Sequence, residues 1–312
     1  MTDTAALLAR IEQLERRAQA AEDYRDLVNL QGAYGYYVDK GLWDRAAELF
    51  AEDGTLEIAG RGVYVGRERV REYLRRLPAY GHGTVYNHMQ LQPVLHIDSA
   101  AGTAKGRWRT LMMVGSLGKE GRWGEATYEN AYVREDGKWR IASLHGVVNF
   151  YVDKGLWDRA AELFAEGGTL EIAGRGVYVG RERVREYLHH LPAYGYGVMY
   201  NHMQLQPVLH IDSEAGTANG RWRTLMMVGA LGKEGRWGDA TYENSYVRED
   251  GRWRIASLHG VINFYCEYDE GWHKGGVPLL RTTAGLHPDR PQTFEYEAFP
   301  EPVIAPFHYE EP

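Results

Sequence analysis

The chain has 312 residues, 44% hydrophobic and 25% charged, an ordinary composition for globular protein and enough length for two domains. Lys and Arg number 36 against 43 Asp and Glu, a formal net charge of −7, and no basic run offsets it, so a nucleic-acid partner is not expected. The single cysteine, Cys266, excludes an intramolecular disulfide and a thiolate zinc cluster. No stretch approaches the roughly 20 apolar residues that span a bilayer, and the charged N-terminus lacks an apolar signal core. The expectation is a cytoplasmic protein with no membrane partner.

In chain order, Leu7, Ile11, Leu14, Leu27, Leu30 and Tyr34 recur at helical spacing and predict a helix from about Thr4 to Tyr36. LWDRAAELFAE sets Leu42, Ala46, Leu49 and Phe50 on one face of a second helix, with Asp53-Gly54 read as its stop. TLEIAG and RGVYVG read as short strands, and GRERVREYLRRL as an amphipathic helix ending before Pro78. Three or four long strand candidates follow: TVYNHMQLQPVLHID, GTAKGRWRTLMMVGSL, RWGEATYENAYVRE and KWRIASLHGVVNF. Helices first and antiparallel strands afterwards is an α+β pattern, a curved sheet wrapped over helices around a pocket.

The whole block then repeats. Residues 37–150 return as 151–264 at an offset of 114, with 13 substitutions that include Asp53/Gly167, Arg75/His189, Arg76/His190, His82/Tyr196 and Lys105/Asn219. A unit of this length is a duplicated domain, not a solenoid repeat of about 20 to 50 residues. The expected organisation is 1–150, a leading helix plus a first domain; 151–264, a second domain without a leading helix; and 265–312, an extended tail rich in Pro and aromatics.

AYGYYVDKGLWDRAAELFAEDGTLEI resembles the helix–helix–strand opening of SnoaL-like proteins of the nuclear-transport-factor-2-like superfamily, and NHMQLQPVLHID with WGEATYENAYVREDGKWRIASLHGVVNF resembles their later strands. The resemblance implies two tandem cone-shaped α+β domains, each around a pocket. Scytalone dehydratase and the bile-acid dehydratases carry a Tyr and an Asp near the end of the first helix and a His on the first long strand; here the matching positions are Tyr34, Asp39 and His88. The tail and the YEN…DGKWRI block also resemble sphingomonad proteins of lignin breakdown, among them a diarylpropane lyase that releases formaldehyde. The resemblance therefore implies a lyase of aromatic-compound catabolism, needing no organic cofactor and no metal. It would act on a small aromatic or polycyclic alcohol, by dehydration or by retro-aldol loss of formaldehyde. A non-catalytic ligand-binding or oligomerisation module, or a ketosteroid-type isomerase, is the alternative. Many members dimerise through the open sheet face, so an internal pseudo-dimer or a homo-oligomer is the expected assembly.

An Asp beside an imidazole fixes its tautomer and favours its protonated form, so His88 with Asp39 suits proton transfer, and Tyr34 suits a hydrogen bond to a developing enolate or departing oxygen. Arg107 and Arg109 alternate on one strand face and suit a carboxylate or phenolate, against a rim salt bridge as the plainer reading. Tyr128 and Asn130 form one alternating set whose direction, inward or outward, is open. The second copy repeats Asp153, His202, Arg221, Arg223, Tyr242 and Asn244, but Val148 stands where Tyr34 would. The second pocket is therefore expected to be weakened or dead, unless the tail, with Tyr268, Trp272 and His273, closes a working site there. His189-His190 replaces Arg75-Arg76 and is not expected to bind metal.

Overall fold

The computed structural model describes residues 4–58, 61–77, 81–147, 155–192, 195–301 and 303–308. The chain divides into two compact units, Met1–Val148 and Asn149–Pro312. The tail thus belongs to the second unit.

Unit 1 opens with α1, Thr4–Asp39, followed by α2, Trp43–Ala47. Then come β1, Phe50–Ile58; β2, Gly62–Val65; α3, Arg67–Leu74; β3, Thr84–Asp98; β4, Thr103–Ser116; β5, Glu120–Glu135; and β6, Lys138–Val147. The sheet order is β2-β1-β6-β5-β4-β3. It is mixed, not purely antiparallel as expected, because β1 lies parallel to β6 while its other neighbours are antiparallel. The second helix is also shorter than predicted. Phe50 already pairs with Ile141 as strand, and Gly54 sits in the irregular stretch between Phe50 and Thr55, where a Cβ would lie 2.8 Å from the Ile141 carbonyl oxygen. Gly54 is thus an irregularity inside a strand, not a helix stop.

Cross-strand register separates the two faces of this sheet. His88 pairs with Met112 and Met112 with Gly124; Trp108 pairs with Tyr128, and Gly106 with Asn130. These residues share the inner face with the core of Leu27, Phe50, Leu56, Trp108, Tyr132, Ile141 and Leu144. Arg107, Glu129, His145 and Glu57 lie side by side on the outer face.

The buried stripe of α1 consists of Asp23, Leu27, Gln31, Tyr34, Gly35, Val38 and Asp39, one helix face of mixed polarity. Each polar member finds a partner across the core. Asp23 accepts from the Trp139 indole at 3.0 Å and pairs with Arg134. Burial pushes its carboxyl up, but hydrogen bonds from Ser99, Trp139, Gln19 and Arg134 outweigh this and hold it below the usual carboxylate range. Gln31 Oε1 accepts from Asn130 at 2.9 Å and from the Tyr132 hydroxyl at 3.0 Å, while its Nε2 donates to Gln90 at 3.1 Å.

Unit 2 repeats the pattern: α4, Trp157–Ala161; β7, Phe164–Ile172; β8, Val177–Val179; α5, Arg181–His189; β9, Val198–Asp212; β10, Thr217–Ala230; β11, Glu234–Glu249; and β12, Arg252–Glu267. Its sheet order, β8-β7-β12-β11-β10-β9, is that of unit 1. Two differences matter. Among the described residues it has no counterpart of α1, and β12 runs to Glu267, beyond the expected domain end at 264. Trp253, the counterpart of Trp139, is 40% exposed where Trp139 is 6% exposed. The tail instead covers unit 2. Leu286 joins the core with Tyr178 and Tyr187, Thr293 binds Glu171, and His308 binds Glu243 on the outer face.

Candidate active site

The end of α1 is fixed by backbone geometry. Gly41 has φ 65°, Leu42 N–H donates to the Tyr37 carbonyl at 2.8 Å and Gly41 N–H to that of Val38 at 3.2 Å, which is a Schellman closure. Asp39 is therefore the last helical residue, and its carboxylate reaches β3. Asp39 Oδ1 lies 2.8 Å from His88 Nδ1 and accepts the His88 backbone N–H at 2.7 Å. The carboxylate assigns the proton to Nδ1, so Nε2 is the nitrogen that can accept one from a substrate. The side chains retain 15% exposure at His88 and 10% at Asp39, a dyad held in the wall of the domain and still within reach of a ligand.

Gly35 allows the close approach that makes this contact. A Cβ there would stand 2.8 Å from Gln90 Cγ and 3.1 Å from the His88 carbonyl oxygen. A mid-helix glycine costs roughly 1 kcal/mol against alanine, so its presence one turn before Asp39 reports contact with β3. Gly35→Ala should therefore destabilise unit 1 by about 1 kcal/mol net of the helix-propensity gain. It should also lower turnover by moving Asp39 off His88. A denaturation midpoint and a rate measured on the same sample check both.

Around the dyad stand two phenols. Tyr34 is 4% exposed and packs edge-on against Phe50 and Tyr128, with centroids 5.9 and 6.4 Å away. Burial, with Tyr128, Tyr73 and Asp39 nearby, holds its hydroxyl well above the ordinary phenol range. Burial likewise pushes Tyr128 up to about 12, against a hydrogen bond with Thr110 that lowers it. Both are neutral donors at physiological pH. Because the folded state keeps these protons past the ordinary phenol value near 10 and the unfolded chain does not, the stability they contribute is present below pH 10 and lost as pH rises beyond it. The urea midpoint of unit 1 should fall above about pH 10, and Tyr34→Phe should flatten that slope.

Met112 and Gly124 continue the row from His88 across the sheet, and a Cβ at Gly124 would meet the Met112 methyl at 3.0 Å. This row and the two phenols form an apolar, aromatic surround with one acid/base nitrogen. Sequence reasoning missed Gln31, Gln90 and Thr110. Gln90 donates to the His88 carbonyl at 3.0 Å and accepts from Gln31 and Thr110, fixing β3 against both α1 and β4. Their signal was weak, since a polar residue on a helix or strand ordinarily marks a solvated face.

The structure does not bring every expected residue here. Arg107 and Arg109 are corrected: they stand on the outer face, Arg107 paired with Glu129 and Arg109 with Glu125 at 3.3 Å. Asn130 is on the inner face but is engaged with Gln31 and with Tyr132 at 3.0 Å. In unit 2, Arg221 pairs with Glu243 and Arg223 with Asp239, again on the outer face. Asn244 donates to Tyr246 at 3.1 Å. Asp153 lies outside the described residues, as does Val148. Beside His202, the row to Met226 and Gly238 continues to Tyr265, whose hydroxyl lies 3.3 Å from the Met226 sulfur, and Leu279 of the tail packs into the same cluster with Tyr242. Tyr268 and Trp272 are 56% and 64% exposed, and His273 is exposed too. His189 meets Asp158 at 3.1 Å and His190 the Glu186 carbonyl at 2.8 Å. Among the described residues, no three His, Cys, Asp or Glu side chains converge as a metal-binding group, and no helix is long and apolar enough to cross a membrane.

The chain is similar to several known proteins. Hexachlorocyclohexane dehydrochlorinase 1 of Sphingobium indicum is 28% identical over 119 residues, covering 36% of this chain and 73% of that protein. Among solved structures, an NTF2-like protein with a cystatin-like fold from Novosphingobium aromaticivorans aligns at 21% identity and a TM-score of 0.37, over 47% of this chain and 91% of its own. A scytalone dehydratase candidate from the same organism aligns at 17% identity and a TM-score of 0.37, over 43% and 89%. The SnoaL-like domain model matches residues 19–145 and again 148–259, so the chain belongs to the SnoaL-like family as a tandem pair of its domains.

Proposed function

We propose that unit 1 is a cofactor-independent lyase that eliminates a small leaving group from an aromatic or polycyclic alcohol. The observation that carries this reading is the Asp39–His88 contact at 2.8 Å, with the phenols of Tyr34 and Tyr128 close by. His88 Nε2 removes a proton from the carbon next to the one bearing the leaving group, and Asp39 stabilises the imidazolium that results. As the carbon–oxygen bond breaks, the imidazolium returns the proton to the departing hydroxyl, so water leaves and the histidine is neutral again. In the retro-aldol variant, His88 takes the hydroxyl proton of a hydroxymethyl group, the carbon–carbon bond breaks to give formaldehyde, and the imidazolium protonates the carbanion. Tyr34 and Tyr128 act as hydrogen-bond donors in either case. Their raised affinity for the proton disfavours its transfer and suits polarisation of the oxygen that gains charge.

The dehydrochlorinase relative supports the class, since loss of hydrogen chloride needs the same removal of a C–H proton beside a leaving group. The aromatic surround of Tyr34, Tyr128 and Met112 suits a flat substrate. The test is mass spectrometry of aryl diols and hydroxylated polycyclic alcohols after incubation with the protein. Loss of water or of formaldehyde is the expected result. No mass change in compounds that bind would overturn the reading in favour of a binding module or an isomerase.

A further inference from the structure

The first half of α1 has no core of its own. Only from Asp23 onward does the helix bury residues; Leu7, Leu8, Ile11 and Leu14 are 52%, 55%, 43% and 47% exposed. A domain that presents four large apolar residues along two turns of one helix has a surface in need of a partner. Leu7, Ile11 and Leu14 follow a heptad, with Leu8 beside them at e. With Leu7, Leu14 and Ala21 at the d positions, Thr4, Ile11 and Ala18 fall at a, every one of them exposed. β-Branched Ile at a with Leu at d favours two parallel strands.

The charges flanking this seam select the partner. Arg10 and Arg17 fall at the g positions, and Glu15 and Glu22 at e. In a parallel pair in register, each g residue faces the e residue five positions on in the other chain, which sets Arg10 against Glu15 and Arg17 against Glu22, from both sides. In an antiparallel pair, g meets g and e meets e, and every charged contact is repulsive. A second copy of this chain, parallel and in register, satisfies all four pairs. We infer that residues 4–22 of α1 form a parallel two-stranded coiled coil with a second copy of the chain. At 1.5 Å per residue the paired segment is about 28 Å long. Isolated helices of this length are marginal, but here the segment continues a helix already held in the core through Leu27, Gln31 and Tyr34. Its nucleation therefore adds no cost to association. Ala18 and Ala21 at the end of the seam let the two helices come close as they enter their domains.

Sedimentation equilibrium of the full chain tests this, with circular dichroism confirming that each variant is folded. The wild type is expected to dimerise reversibly, and Leu14→Asp to be monomeric. Glu15→Arg/Glu22→Arg turns the four attractions into repulsions and should weaken the dimer by roughly tenfold or more. Arg10→Glu/Arg17→Glu should do the same. Mixing these two double variants should restore association, because each g residue again faces its opposite. A wild type that stays monomeric at 100 μM (about the upper end of a practical titration) would overturn the proposal. So would a dimer that survives Leu14→Asp, or two double variants that fail to associate with one another. All of these positions are remote from His88, so the result is independent of the proposed chemistry.

Discussion

His88→Ala is expected to lower kcat/KM by about 10²- to 10⁴-fold, the range that a positioned acid/base group supplies, whereas His202→Ala should change it by less than about twofold. The contrast follows from Tyr34, which α1 brings beside the first dyad and which has no counterpart among the described residues of unit 2. His88 is aligned by Asp39 at the closed end of α1, and Tyr34 and Tyr128 lie near that carboxylate. His202 stands in a row that Tyr265 closes over Gly238 and Met226, with Leu279 packed alongside, and Met226 is only 1% exposed. Steady-state rates for the two variants on any substrate found by mass spectrometry decide the matter. Equal losses would show that both units turn over and that the tail completes a site in place of obstructing one. Asp39→Asn should follow His88→Ala with a smaller loss, because it keeps the shape of the contact and replaces the carboxylate that accepts from Nδ1 with a neutral amide.

Much of the fold was legible because the repeat and the strand alternation are strong signals. The 13 differences between the copies fall outside the inner-face set of His88, Gln90, Trp108, Tyr128 and Tyr132, so both sheets keep one register. The pairing of Asp39 with His88 was readable only through resemblance, since 49 residues separate them and no local pattern joins a helix end to a strand. The direction of Arg107 and Arg109 was not readable. Alternation puts them on one face of β4, but the face is set by which neighbours pair with β4, and those pairings are long-range. The docked stripe of α1 was half visible. Leu27 and Tyr34 follow the apolar period, while Asp23, Gln31 and Asp39 break it and are buried all the same, because Trp139, Asn130, Tyr132 and His88 offer them partners. Hydrophobic periodicity cannot find a helix face whose specificity is polar.

Trp139 and Trp253 isolate what that helix contributes. They occupy matching positions, and each has an arginine over its ring, Arg134 at 4.8 Å and Arg248 at 4.9 Å. Only Trp139 also donates its indole N–H to a buried carboxylate, Asp23, and is 6% exposed against 40% for Trp253. Trp139→Ala should cost about 3 to 5 kcal/mol, the range for removing a buried large aromatic. It also leaves Asp23 with one partner fewer in the core. Trp253→Ala removes a side chain that is already partly in water, and should cost about 1 kcal/mol. The two units need not unfold together, so a single melting curve would blur the comparison. Hydrogen exchange resolved by peptide separates them, because Lys138/Arg252 and Ala131/Ser245 give the copies different masses. Loss of protection across β5 and β6 in Trp139→Ala, with β11 and β12 nearly unchanged in Trp253→Ala, is the expected pair of results. Equal losses would mean that the sheet, not the docked helix, supplies most of the stabilisation at this position, and that α1 is held to unit 1 chiefly through Gln31 and Asp39.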